Sequence, residues 1–321
     1  MKYIFVISLM FFFKVDLYAG QVFLDTTSGI LSGSIKMPET DLPCPVALII
    51  AGSGPTDRDG NSGFVQGSND CLKMLAEGLA DHGISSLRYD KRGVASSFEA
   101  LSIEYDLRFE TYISDAFMWC EQLRNDKRFS SLTVIGHSEG ALIGMITVAT
   151  TTVDSFISIA GPGRPVSQII LDQIDGQYSE EIIKQTSRII SNLKLGKNVT
   201  LVPKELKDLF RPSVQPYLIS MFKYNPTDEI SKLKIPALIL QGTVDIQVGV
   251  KDSKNLAQSY PSAELFIIEG MNHIMKDVSD NDEMQLKSYI DPTISLSSVL
   301  VEKICSFIRK TDKLEVLKNE F

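Results

Sequence analysis

The sequence predicts an α/β fold in which a mostly parallel central sheet is covered by helices on both faces. One observation leads to this fold class, and a second shows where the pattern is interrupted. Solid apolar runs of strand length alternate with amphipathic segments of helix length along most of the chain. Such alternation is typical of parallel sheets, whose strands are buried on both faces. One long segment, residues 164–228, breaks the alternation and has no strand pattern.

The predicted elements follow one another in a regular order. An antiparallel hairpin comes first, because the turn residues Thr27, Ser28 and Gly29 separate two extended runs within residues 21–38. The strands and helices that follow are strand 46–54, helix 70–83, strand 85–93, helix 109–126, strand 132–138, helix 140–150 and strand 155–163. After Pro236 come strand 237–245, a helix near 253–259, strand 263–270 and a last helix from about 295 to 309.

Residues 164–228 are predicted to form a helical cap inserted between two strands. Their isoleucines recur close to helical spacing, at Ile182, Ile183, Ile189 and Ile190. The alternative is a long surface crossover, but the segment is too long and too apolar for an ordinary connection. The core of the fold is therefore assigned to residues 21–163 and 229–321.

Residues 1–20 resemble a secretory signal peptide. Lys2 precedes an apolar run from Tyr3 to Phe13, and small residues follow at Ala19 and Gly20. The run is shorter than the roughly 20 residues of a membrane span. We predict cleavage near Ala19–Gly20, a secreted or periplasmic protein, and no stable membrane insertion afterwards. An uncleaved anchor or a buried first strand are the alternatives.

Charge and cysteine content exclude some classes of partner. The formal net charge of −8 at pH 7 argues against nucleic acid and anionic membranes as partners. The cysteines Cys44, Cys71, Cys120 and Cys305 lack CxxC spacing, so we predict no metal site. Disulfides and buried free thiols both remain compatible with the sequence.

The stretch Val134–Gly144 predicts a nucleophilic serine. Gly136-x-Ser138-x-Gly140 lies between an apolar strand and a helix, as in a nucleophile elbow. Glycine two positions away on either side allows the tight turn that exposes the serine hydroxyl. The helix that follows also directs its free N–H groups to the same place. An idle serine in a glycine-rich turn is the alternative.

The general base follows by elimination among three histidines. His82 falls in the last turn of a predicted helix, and His137 should point away from the Ser138 hydroxyl. His273 follows a late strand, where a loop can reach the serine, so His273 is the predicted base. Asp245, just past another strand, should orient it, with Asp252 as a rival. The chain order Ser138, Asp245, His273 is that of a hydrolase triad.

Two backbone N–H groups are candidates for an oxyanion hole. One is that of Glu139, directly after the serine, and the other is that of Ser53 in the loop after strand 46–54, with Gly54 as a rival. A phosphate-binding loop is the competing interpretation of these glycines, but GxGxxG and GK[ST] are absent. We expect Asp57, Arg58 and Asp59 to form ion pairs that fix this loop.

These motifs together resemble the α/β-hydrolases, and among them the serine aminopeptidase-type and EstD-type carboxylesterases. The resemblance covers essentially the whole chain after residue 20 and rests on "GSGPTDRDGN", "LRYDKRG", "GHSEG", "PALILQGTVDIQV" and "GMNH". It implies hydrolysis of carboxylic esters without a cofactor, with Ser138, Asp245 and His273 as the triad. Two departures are Ala95 and Ala141, where glycine is usual in the family.

The predicted activity is hydrolysis of small-molecule esters with short-to-medium acyl chains through an acyl-enzyme. The cap should lie over Ser138, with Tyr217, Met221 and Phe222 as substrate-binding residues. A peptidase, an acyltransferase or thioesterase, and an inactive binding module are the alternatives. No step of the reaction is assigned to the Glu139 side chain.

Overall fold

The computed structural model describes residues 19–40, 43–278 and 282–319 and contains one eight-stranded sheet. Its strands are β1 (Ala19–Thr26), β2 (Gly29–Lys36), β3 (Cys44–Ile50), β4 (Ser85–Tyr89), β5 (Phe129–His137), β6 (Ser155–Ile159), β7 (Ala237–Gly242) and β8 (Glu264–Ile268). They lie in the order β1-β2-β4-β3-β5-β6-β7-β8. β2 pairs antiparallel with β1 and β4, and from β4 to β8 every pair of neighbours is parallel. The predicted hairpin and the mostly parallel sheet are confirmed.

The two faces of the sheet carry separate hydrophobic cores. Val46, Leu48 and Ile50 of β3 belong to one core, and Ala47 and Ile49 belong to the other, all less than 2% exposed. Side chains of a strand alternate between faces, so an unbroken apolar run fits a strand that is covered on both sides. Burial on both faces of the sheet thus explains the continuous apolar runs in the sequence.

Eleven α-helices accompany the sheet in the part of the chain that the structure describes. They are α1 (Cys71–Asp81), α2 (Phe109–Arg124), α3 (Glu139–Val148), α4 (Val166–Ile174), α5 (Glu180–Lys194), α6 (Lys207–Phe210), α7 (Gln215–Met221), α8 (Pro226–Ile230), α9 (Val250–Ser259), α10 (Asp282–Ser288) and α11 (Ser298–Asn319). Residues of α2 and α3 belong to the first core, and residues of α1 and α11 belong to the second. α10 has no counterpart in the sequence-based prediction.

The inserted segment contains α4 to α8 and no strand, and α8 extends to Ile230, just beyond the predicted boundary. Arg164 at its beginning pairs with the buried carboxylate of Asp252 at 2.9 Å. Further along, the Ser220 hydroxyl accepts a hydrogen bond from the Phe109 backbone N–H at 2.7 Å. Arg211 also pairs with Glu104 of the body. The cap is therefore attached to the core at both of its ends.

The predicted signal peptide falls mostly on residues 1–18, which lie outside the described residues, and it stays a prediction. β1 begins at Ala19, which pairs with Lys36, two residues before the predicted start of the core. Within the described ranges we find no helix whose length and hydropathy would suit a membrane span. The four cysteines are buried free thiols in the structure.

Candidate active site

Ser138 occupies a strained turn between β5 and α3. Its backbone has φ 54° and ψ −122°, in a region that non-glycine residues rarely adopt and that costs on the order of 1–3 kcal/mol. Serine before a helix usually caps it, but the Ser138 side chain makes no capping hydrogen bond. Ser138 is half-buried, whereas its neighbours from Ser131 to Gly140 are all buried. The strain thus presents a free hydroxyl at the end of the strand.

Both glycines of the motif are required by close backbone contacts. A Cβ atom on Gly136 would lie 2.6 Å from the Ala141 nitrogen, and one on Gly140 would lie 2.7 Å from the Ala51 carbonyl oxygen. Neither neighbour is a side chain that can turn aside. The glycines therefore let α3 start directly against β5 and β3.

His273 and Asp245 form a buried hydrogen-bonded pair. The His273 Nδ1 lies 2.8 Å from Asp245 Oδ2, and the two side chains are 4% and 0% exposed. The other carboxylate oxygen accepts the N–H groups of Gln247 and Val248. Burial raises the pKa of Asp245, but the charge and hydrogen bond of His273 and the two N–H groups outweigh it, so that the pKa lies below the usual 3.8. Asp245 is thus a fixed anion that orients the imidazole.

His137 holds the backbone of the predicted base His273, a contact that the sequence pattern did not indicate. Its Nε2 lies 2.8 Å from the His273 carbonyl oxygen, which can only accept, so Nε2 carries the proton. Burial above all, and then the charge of His273, lower the pKa of His137 to about 4. A neutral His137 therefore holds the backbone of His273. The pattern alone indicated only that His137 points away from the serine.

The loop after β3 lies against Ser138, the predicted nucleophile, because β3 and β5 are neighbours in the sheet. A Cβ on Gly52 would lie 3.2 Å from the Ser138 Cβ, so that only glycine fits there without displacement. The next residue, Ser53, is exposed, and Gly54 has φ +72°. The N–H of Glu139 belongs to the first turn of α3, where no intrahelical acceptor exists. Both candidate donors thus lie beside Ser138.

The rest of this loop is fixed by β4, partly as predicted. Arg58 pairs with Asp90 at 2.6 Å, and Asp59 pairs with Arg88. The prediction is wrong for Asp57, whose carboxylate accepts the backbone N–H groups of Asp59 and Asn61 in a turn. An aspartate can close a local turn in this way. The residue type alone does not show whether an aspartate will close a turn or form an ion pair.

The rival carboxylate Asp252 has a structural position. Its oxygens accept hydrogen bonds from the Gly163 N–H at 3.0 Å and from Arg164 at 2.9 and 3.1 Å. Since Asp252 is fully buried and engaged with the start of the cap, it does not orient His273.

The cap residues singled out by the sequence pack closely. Tyr217 and Met221 are 7% and 3% exposed and belong to the first hydrophobic core, while Phe222 is half-buried beside it. The Tyr217 ring contacts the rings of Phe109 and Tyr112 edge-on, with centroids 6.0 and 5.6 Å away. α7 is thus fastened to α2 through these side chains, and their contact with substrate stays a prediction.

No group of three or more His, Cys, Asp or Glu side chains is arranged to hold a metal ion within residues 19–40, 43–278 and 282–319.

Solved structures similar to the chain identify the fold. Est1E from Butyrivibrio proteoclasticus aligns with a TM-score of 0.58 at 17% identity over 91% of this chain and 98% of its own. The α/β hydrolase GrgF from Penicillium sp. sh18 aligns with a TM-score of 0.59 at 17% identity over 92% and 100%. The chain has the α/β-hydrolase fold. The fold predicted from its sequence is confirmed.

Sequence comparison relates the chain to two groups. Residues 61–199 match the family described as serine aminopeptidase, S33, a range that includes Ser138 and ends before Asp245. Esterase EstD from Thermotoga maritima is 27% identical over 276 residues, or 84% of this chain. The chain spans 65% of the length of that relative. The chain is thus similar to an esterase and, over a shorter range, to the aminopeptidase family.

Proposed function

We propose that this α/β-hydrolase is a serine esterase that cleaves carboxylic esters with short-to-medium acyl chains. The observation that carries the proposal is the buried His273–Asp245 hydrogen bond of 2.8 Å at the same edge of the sheet as the uncapped Ser138 hydroxyl. β5, β7 and β8 run parallel, so the segments after them meet at one edge. This constellation suits nucleophilic attack on an acyl carbon.

In the proposed reaction, His273 takes the proton of Ser138 as its oxygen attacks the ester carbonyl. The N–H groups of Ser53 and Glu139 stabilise the resulting oxyanion. His273 then protonates the leaving alcohol, and water repeats the sequence on the acyl-enzyme. Asp245 holds the imidazole in the tautomer with its proton on Nδ1 and stabilises its cation.

The relatives support ester cleavage and leave a second candidate. EstD is named as an esterase, and a solved Est1E structure with ferulic acid aligns with a TM-score of 0.61 at 17% identity over 90% of this chain and 98% of its own. The match of residues 61–199 to a family described as serine aminopeptidase favours an amide-cleaving enzyme as the second candidate.

Parallel assays of nitrophenyl esters and amino-acid anilides test the proposal. We expect turnover of the esters, abolished in Ser138→Ala and lowered roughly 10⁴-fold in Asp245→Asn. Asp252→Asn is the matched control, a buried aspartate in the first turn of α9, and its folded fraction should keep near wild-type turnover. Faster cleavage of the anilides would favour the peptidase, and ester turnover that survives in Ser138→Ala would refute the assignment.

The acyl-chain preference is attributed to the cap. Each methylene buried in an apolar pocket contributes about 0.8 kcal/mol until the end of the pocket is reached. We therefore expect turnover to pass through a maximum along the ester series, and Phe222→Ala or Met221→Ala to shift it to longer chains. Leu201→Ala is the control, because Leu201 is a cap residue that is 89% exposed. An identical profile in all variants would exclude this role of the cap.

A further inference from the structure

Lys91, at the carboxyl end of β4, is a buried cation that the proposed reaction does not use. Its side chain is 1% exposed. The ammonium donates to the Gly52 carbonyl oxygen, lies 3.2 Å from Glu139 Oε1, and sits 4.9 Å from the centre of the Tyr112 ring. Burying a charge is costly, and an ion pair seldom repays the cost in stability. The burial of Lys91 therefore indicates a role other than stabilisation of the fold.

The Gly52 carbonyl belongs to the peptide unit that carries the Ser53 N–H. A peptide unit is planar and trans, so its C=O and N–H point in opposite directions. When Lys91 holds the Gly52 oxygen on one side, the Ser53 N–H must point to the other side. A Cβ on Gly52 would lie 3.2 Å from the Ser138 Cβ, so this peptide unit is next to the nucleophile.

Lys91 also contacts the side chain of Glu139, the residue that carries the other predicted oxyanion donor. The Glu139 carboxylate, 9% exposed, accepts from the same ammonium, while the Glu139 N–H lies in the first turn of α3. One cation thus connects the loop after β3 to the start of α3. The relative position of the two N–H groups depends on both contacts.

Tyr112 and Tyr217 close this cluster against water. Burial, and then the charge of Glu139, raise the pKa of both phenols, so they stay neutral. Tyr112 presents its ring face to Lys91, an arrangement that favours a cation. The Lys91–Glu139 pair therefore lies in a site of low dielectric, where it keeps its geometry.

We propose that Lys91 is a positioning residue of the oxyanion hole, which fixes the Gly52–Ser53 peptide unit and Glu139 so that both N–H groups face the oxygen of the tetrahedral intermediate. This inference rests on the proposed function, because it assumes attack by Ser138 on an acyl or phosphoryl centre. Substrate binding before attack does not need the oxyanion donors, so Lys91 acts on kcat.

The test compares Lys91→Met with the wild type in two measurements. The first is the rate constant for labelling of Ser138 by a fluorophosphonate, which requires the nucleophile and the oxyanion hole but no knowledge of the substrate. The second is kcat and KM on a nitrophenyl ester. We expect both the labelling rate and kcat to fall about 10- to 100-fold, somewhat less than for loss of a donor, with KM changed less than threefold.

Arg92→Met is the matched control, since it removes the adjacent buried cation, which pairs with Asp115 at 2.5 Å. Corrected for the folded fraction by circular dichroism, its labelling rate should equal that of the wild type. If Lys91→Met does not fold, Glu139→Gln takes its place, because it keeps the shape and removes the charge; its labelling rate should fall at least threefold.

A labelling rate within twofold of wild type in folded Lys91→Met, or in Glu139→Gln when that variant is used, would overturn the inference. An equal loss in Arg92→Met would also overturn it, since the effect would then be structural. Wild-type protein that labels at Ser138 in a Lys91-dependent way but cleaves no ester would refute only the proposed function.

Discussion

Gly140→Ala tests how closely the turn around Ser138 depends on backbone contact. A Cβ at this position would lie 2.7 Å from the Ala51 carbonyl oxygen and closer still to that of Ile50. Ordinary van der Waals contact begins at 3.4 Å, so α3 would have to withdraw from β3 by about 0.7 Å or more. Both obstacles are main-chain atoms, one on the last residue of β3 and one on the residue after it, and cannot rotate away.

The displacement has two measurable costs. Overpacking of this kind destabilises by about 1–3 kcal/mol, which corresponds to a fall in Tm of roughly 2–4 °C per kcal/mol for a chain of this size. Because α3 carries the Glu139 N–H and adjoins Ser138, the displacement also disturbs the reacting geometry. A shift of about 1 Å can cost roughly 10²-fold in rate, so we expect kcat to fall at least about 10-fold.

Thermal unfolding followed by circular dichroism and ester kinetics on the folded fraction measure the two effects. Gly249→Ala is the control, since a Cβ there meets nothing within 4 Å and its φ of −84° suits alanine. It should change Tm by little and leave kcat unaltered. If Gly140→Ala matched the wild type in both measurements, the required contact with β3 would not exist.

Three further results are expected. Ala95→Gly should raise the free energy of unfolding in urea by about 1 kcal/mol, because Ala95 has φ +41°; a loss would show that its methyl group is needed. Asp252→Asn should lower it by about 1–3 kcal/mol, measured in the same way, because the buried carboxylate that accepts from Arg164 and the Gly163 N–H loses its charge, while Arg164 keeps Asp172 as a partner; an unchanged value would contradict this. His137 stays neutral when folded down to about pH 4 but takes up a proton below pH 6.5 when unfolded. The wild type should therefore lose on the order of 3 kcal/mol between pH 7 and pH 4 that His137→Gln does not lose, and equal losses would refute the assignment.

The sheet and its helices could be predicted from the sequence because their signals are local. Apolar runs bounded by glycine mark β3 and β5, and the pattern Gly136-x-Ser138-x-Gly140 marks the turn between β5 and α3. The residues assigned to the triad were found by strand-end position and by elimination among only three histidines. The structure adds the hydrogen bond between the Asp245 carboxylate and the His273 imidazole.

The remaining features depend on contacts between distant segments, which no local pattern encodes. His137 meets the His273 carbonyl across 136 positions, and Lys91 joins Gly52 to Glu139. The sequence contains the oppositely charged residues Lys91 and Glu139, but no local pattern indicates that the two are in contact. α10 was missed because "DEMQLKS" is short and largely polar, so it lacks the apolar stripe that indicates a helix.

The attachments of the cap bear on how substrate reaches the serine. The contacts of Arg164 with Asp252, Arg211 with Glu104, and Ser220 with the Phe109 backbone fasten it at its start, middle and end. We expect the cap, which is proposed to lie over Ser138, to stay in place at an oil–water boundary, because all of these contacts would have to break together. The proposed esterase should therefore follow simple saturation with dissolved monomeric substrate and show no jump in rate where micelles or droplets form.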